Sequence, residues 1–201
     1  MKTKEFLKLF KRAEKKYGPS TKRLAAEGWD SDWKVLITTI MSAQSRDETT
    51  IPIAENLFKK YPTLGKLAKA RFADVKKIFS GLNYNNTKAK HVIEAAIMLS
   101  KLTKVPDTIE ELVTIPGVGR KTANLVVTEC YGKDGICVDT HVHRISNVLG
   151  LVSTKTPHQT EAELMKVAPK KYWRKINRIF VLWGKDCPGR DKKKLIRRLV
   201  D

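Results

Sequence analysis

Long apolar runs are missing from this chain of 201 residues. None approaches the roughly 20 residues that a membrane-spanning helix needs. The N-terminal stretch MKTKEFLKLFKRAEKKYG has neither an apolar signal core nor a cleavage site, and it reads as mature protein. Cysteine is scarce. Cys130, Cys137 and Cys187 are odd in number and fall in no metal-ligand spacing, which fits a reducing, cytoplasmic compartment. Period-two alternation is absent apart from a few residues around Ile136–Asp139, so no sheet is expected. Acidic residues are few as well: 21 Asp and Glu against 40 Lys and Arg leave a formal net charge of +19. Such an excess does not suit an enzyme of small metabolites. It calls for a polyanionic partner, nucleic acid before an anionic membrane surface.

What is present reads almost everywhere with helical period. Phe6, Phe10, Ala13 and Tyr17 step by four, three and four, with lysines on the other faces, and Gly18-Pro19 closes that helix. Asp32 to Met41 is apolar over so wide an arc that a buried helix is expected. A helix over 51–61 tolerates Pro52 only in its first turn. Short helices follow near 64–70 and 72–79, and 80–89 reads as a loop by its Gly and Asn content. Val92, Ala95, Leu99 and Leu102 mark a long helix, and Asp107 or Thr108 caps a short one. Further helices are expected near 140–149, 158–168, 170–185 and 190–199. The segment 131–139 carries two glycines and is the best linker. The reading is all-α, with two helical domains and a DNA-binding cleft between them.

Within this frame, TIPGVGRKTANLVV (114–127) makes a helix, a tight Pro-Gly-Val-Gly turn and a second helix. Glycine permits positive φ and close approach of a partner to the backbone. The start of the second helix offers amide groups and the positive dipole end to a phosphate. A plain turn between packed helices is the alternative, and the basic chain favours DNA. Gly117, Val118, Gly119 and Arg120 are therefore candidate DNA contacts. Lys121 lies in the first turn of that helix, where the dipole disfavours a further positive charge and so favours a free, nucleophilic amine. One more phosphate contact is the ordinary alternative. Eighteen residues on, Asp139 sits between apolar Val138 and a new helix, where it can cap that helix, serve in chemistry, or do both.

The hairpin, followed by VDTHVHRISNVLGLV (138–152), closely resembles the endonuclease III family of helix-hairpin-helix DNA glycosylases. IMSAQSRDETT (40–50), GLNYNNTKA (81–89) and FVLWGKDC (180–187) match in order, so the resemblance covers nearly the whole chain. It implies a central domain of about 24–135 and a second domain of 1–23 plus 136–201. It also implies a base-excision repair enzyme that removes oxidised pyrimidines from duplex DNA and then cleaves the abasic site. On this resemblance Lys121 matches the nucleophile and Asp139 the catalytic carboxylate. Gln44 and Leu82 match the residues that fill the hole left by a flipped base. The loop here is about two residues longer than the family's, so Tyr84 is a second candidate for that wedge. Thr140, His141 and Arg144, on the helix after Asp139, are candidate DNA contacts; of His141 and His143, one is expected at phosphate and the other packed. Trp173 and Trp183 belong to an apolar stripe with Ile176 and Phe180.

One departure concerns iron. Many relatives hold a [4Fe–4S] cluster on four closely spaced cysteines near the C-terminus, and this chain has Cys187 alone there, followed by PGRDKKKLIRRLVD. One thiolate cannot hold such a cluster, which implies a member without it and without any other metal. Residues 190–198 are then expected to form a helix turning Leu195, Ile196 and Leu199 inward. Monofunctional mismatch or uracil glycosylases on the same scaffold are the alternative enzyme, and a DNA-gripping module without catalysis is the alternative class. Lysine at position 121 favours the lyase. The expected partner is damaged duplex DNA, met by a monomer.

Overall fold

The computed structural model describes residues 2–200, and among them helices are the only regular secondary structure. Two compact units are present. One runs from Arg23 to Tyr131; the other combines the chain up to Lys22 with the chain from Gly132 onward.

In the Arg23–Tyr131 unit the sequence sets the centre. Helix α2 (Asp32–Ser42) buries Val35, Leu36, Ile37, Thr38, Thr39, Ile40 and Met41 in succession, as its unbroken apolar arc requires. It is surrounded by α3 (Asp47–Lys60), α6 (Asn85–Leu99) and α8 (Arg120–Glu129), with α4 (Leu64–Ala68) and α5 (Phe72–Ile78) closing the side and α7 (Ile109–Leu112) leading into the hairpin. Leu57, Leu67, Phe79, Val92, Ala95, Leu112 and Ala123 are all buried in this core. Thr63 and Thr108 cap α4 and α7 by accepting from Lys66 N and Glu111 N.

Three expectations are corrected here. Helix α3 begins at Asp47, so Pro52 lies inside it and not in its first turn. Asp47 and Glu48 favour the dipole at that start, while Pro52 forgoes the bond to the Glu48 carbonyl. The stretch 80–89 is only half a loop. After a 3-10 turn at Phe79–Gly81, α6 starts at Asn85, because Tyr84 adopts the left-handed conformation that ends the loop. The helix stops at Leu99, short of Leu102.

In the other unit, α1 (Lys2–Tyr17) buries Phe6, Leu9, Phe10, Ala13 and Tyr17 on one stripe. It packs on α11 (Trp173–Asp186), which also carries α9 (Thr140–Val148); α10 (Pro157–Val167) lies against α9. Phe6 stacks on Phe10 at 5.2 Å between centroids, Tyr172 tilts onto Phe10 at 5.1 Å, and Trp183 stands edge-on to Phe180 at 5.6 Å. Trp183 is fully buried, as its stripe predicts. The basic C-terminal segment forms α12 (Lys192–Arg197), capped by Asp191 and anchored by buried Leu195 and Leu199, with Ile196 half-buried.

Candidate DNA-processing site

The hairpin follows from its glycines. Ile115 accepts from Val118 N at 3.0 Å to close the turn. Gly117 holds φ at 80°, and a Cβ there would sit 2.9 Å from His91 Cβ and 3.0 Å from Ile40 Cγ2. Only glycine fits both constraints. Gly119 differs: its φ is −91°, and a Cβ would meet nothing within 4 Å. Open space therefore lies over the start of α8, where Gly119, Arg120 and Lys121 are all exposed. A helix start of this kind is suited to an anion. Val118 turns the other way, 7% exposed and packed into the core, so its side chain holds the hairpin in place and does not face outward.

Asp139 is delivered by a buried strap. Ile136, Cys137 and Val138 are almost completely enclosed, and Asn177 Nδ2 donates to the Cys137 carbonyl at 2.9 Å. The strap ends where Asp139 becomes the N-cap of α9, its Oδ1 accepting from Val142 N at 2.8 Å. One carboxylate oxygen is thus fixed by the helix it caps. Thr140 beside it is exposed. His141 lies against Gly184 of α11, whose replacement by any larger residue would drive a Cβ into the His141 imidazole. His143 is the packed imidazole, its Nδ1 2.7 Å from Thr160 Oγ1 within a network that includes Asn147 and Thr154.

Arg144, expected to meet DNA, stands elsewhere. Its guanidinium donates to the carbonyls of Gly184 (3.0 Å), Cys187 (3.3 Å) and Gly189, satisfying the end of α11 and the turn that follows. Burial lowers its pKa. This is a structural assignment: Arg144 organises the end of α11 and the turn from Cys187 to Gly189.

Of the two residues matched to the wedge, Gln44 is exposed, with φ at 54°. Leu82 is 4% exposed and belongs to the core, whereas Tyr84 is 66% exposed and also left-handed, with φ at 56°. The two loops are tied to each other. Asn83 Nδ2 donates to the Gln44 carbonyl at 2.6 Å, Asn83 N to Ser45 Oγ at 3.2 Å, and Lys88 Nζ to the same Ser45 Oγ at 2.8 Å. Lys88 is missed by a reading that treats lysine as surface. The signal was its register: 88, 92, 95 and 99 share the buried face of α6.

Comparison with known proteins identifies the fold and the family. A family model described as HhH-GPD superfamily base excision DNA repair protein matches residues 37–170. Endonuclease III of Thermotoga maritima is 43% identical over 155 residues, covering 76% of this chain and 73% of that protein. Two solved structures share the fold. A non-covalent endonuclease III–DNA complex has a TM-score of 0.85 at 26% identity, covering 100% of this chain and 97% of the other. A trapped endonuclease III–DNA covalent intermediate has a TM-score of 0.85 at 27% identity, covering 94% and 89%. The fold and the hairpin define a helix-hairpin-helix base-excision repair protein. Within that superfamily, the chain belongs to the endonuclease III family.

Proposed function

We propose that this protein is a bifunctional DNA glycosylase and abasic-site lyase that removes oxidised pyrimidines from duplex DNA. The observation that carries the reading is the exposed Lys121 in the first turn of α8, directly after an open glycine hairpin. The hairpin holds a phosphate, and the lysine is thereby placed beside the neighbouring sugar. Lys121 Nζ attacks C1′ of the flipped nucleotide as the bond to the damaged base breaks, and the base leaves with a proton. Ring opening gives a Schiff base between Nζ and C1′. Loss of a proton from C2′ then expels the 3′ phosphate by β-elimination, and water releases the enzyme. Asp139 accepts the lysine proton or stabilises positive charge developing on the sugar. Its role as helix cap is compatible with this, since the cap occupies one oxygen.

Tyr84 and Gln44 fill the space vacated by the flipped nucleotide. The burial of Leu82 and the exposure of Tyr84 support this choice over leucine. A [4Fe–4S] cluster does not fit the donors available. It needs four thiolates, whereas this chain has three cysteines, two of them remote in sequence from the buried Cys187. The segment after Cys187 is held by Arg144 and by the apolar side of α12. Purified protein is accordingly expected to be colourless and free of stoichiometric iron and sulfide; brown protein would contradict this part. The function itself is tested by incubating monomeric protein with duplexes carrying an oxidised pyrimidine or an abasic site. Nicked product from both supports the bifunctional reading. An intact abasic product identifies a monofunctional glycosylase, and binding without any product identifies a DNA-gripping module.

A further inference from the structure

Among the described residues, two that are not glycine hold a left-handed backbone, Gln44 and Tyr84. Such conformations persist where the surroundings over-determine them, and they cluster at functional sites. Here they lie in two loops far apart in sequence, and Asn83, Ser45 and Lys88 bind those loops together. Lys88 is the unusual member. It is 4% exposed, its hydrogen bond goes to a neutral hydroxyl, and burial without a compensating carboxylate lowers its pKa to about 8. A buried ammonium so poorly compensated disfavours folding. An apolar side chain of the same length would serve the core of α6 better.

We propose that Lys88 is a positioning residue for base excision: through Ser45 Oγ it locks the Gln44 and Asn83–Tyr84 loops into one preassembled unit that enters the duplex together. This rests on the glycosylase reading above. Ser45 Oγ receives both Lys88 Nζ and Asn83 N, so a single oxygen joins the loop after α2 to the loop before α6. Asn83 completes the brace on the Gln44 carbonyl, fixing the strained residue itself. Loops ordered before binding lose less freedom when they insert, and insertion must offset the unstacking of the damaged base. An abasic nucleotide has no base to unstack, so it depends less on the brace.

The variant Lys88→Met separates positioning from packing. Its melting temperature is expected to equal or exceed that of the wild type. Single-turnover excision of an oxidised pyrimidine at saturating enzyme should nevertheless fall about tenfold to a hundredfold, the worth of a hydrogen bond to a charged group. Nicking of a preformed abasic site should fall by at least about tenfold less than excision does. Ser45→Ala should reproduce the selective loss of excision, with a lower melting temperature because it leaves the Lys88 ammonium buried without this partner. The double variant should excise no more slowly than either single one, because both act through one oxygen. Unchanged excision in Lys88→Met overturns the proposal. So does a lowered melting temperature with excision and nicking reduced in parallel, which is the signature of a merely structural lysine. Multiplicative losses in the double variant also overturn it. A wild-type protein that nicks abasic sites but leaves oxidised pyrimidines intact removes the glycosylase reading instead.

Discussion

Asp186 gathers three elements at one carboxylate. Its Oδ2 accepts from Tyr17 OH of α1 at 2.8 Å and from Arg198 Nε at 2.7 Å, and its Oδ1 accepts from Arg198 Nη2 at 2.8 Å, just beyond the end of α12. This paired bonding to the Arg198 guanidinium holds the carboxyl at about 2 instead of 3.8. A displacement of that size corresponds to about 2 kcal/mol. The two side chains are 28% and 47% exposed, so solvent screening brings the share expressed as stability to about 1–2 kcal/mol. Asp186→Asn keeps the shape and one acceptor for Tyr17 while removing the charge. At pH 7 it should lower the melting temperature by about 2–8 °C, given the roughly 2–4 °C per kcal/mol of chains this size. Because the folded pKa is depressed, the stabilisation is fully present above 3.8 and is lost as pH falls through about 2. Wild type and variant should therefore converge when melting is followed by circular dichroism from pH 5 down to pH 2. A gap that stays constant over that range, or no gap at pH 7, would refute the assignment of this carboxylate as the tie between α1, α11 and α12.

The hairpin glycines should separate by role. Gly117→Ala, with φ at 80° and a 2.9 Å approach to His91, should destabilise the protein by about 2 kcal/mol or more. Gly119→Ala should leave melting unchanged and weaken DNA binding, because its Cβ meets only the space a phosphate would use; equal melting losses in both would contradict this. Asp139→Asn still caps α9, so melting should hold within about 0.5 kcal/mol, while excision falls by two or more orders of magnitude. Normal turnover would reduce Asp139 to a cap. Affinity for undamaged duplex should fall steeply with salt, with a log–log slope of about −4 to −5 if roughly five phosphates are neutralised, and a slope near zero would assign the basic surface to another partner.

How far the sequence could be read depended on how local each cause was. Helix α1 was legible because its apolar residues repeat at three and four and Gly18 follows directly. Helix α2 was legible from its unbroken apolar arc, and Thr156 at the start of α10 forms a full capping box with Gln159. For α3 the acidic pair Asp47 and Glu48 marks a start five residues before Pro52, a local signal that the expected helix over 51–61 passed over. Features settled by distant partners were not legible. Tyr84 ends a loop in a conformation usually left to Gly or Asn, next to Asn83, which bonds to Gln44 and Ser45. Arg144 reads as one more basic side chain among 40, yet three carbonyls beyond residue 183 claim it. Lys88 was hidden for the same reason, since composition assigns lysine to the surface.

We propose that Lys121 does covalent chemistry and does not merely touch phosphate. Incubation with abasic-site DNA in the presence of borohydride reduces a Schiff base to a stable amine. We expect a protein–DNA adduct that survives denaturation, with peptide mapping placing the link on Lys121. Lys121→Gln should abolish both the adduct and the nick while costing about 1 kcal/mol or less of DNA affinity, the size of one exposed ion pair. An adduct mapped to a different lysine, or strand cleavage with no adduct at all, would contradict the account and leave the hairpin as an anchor only.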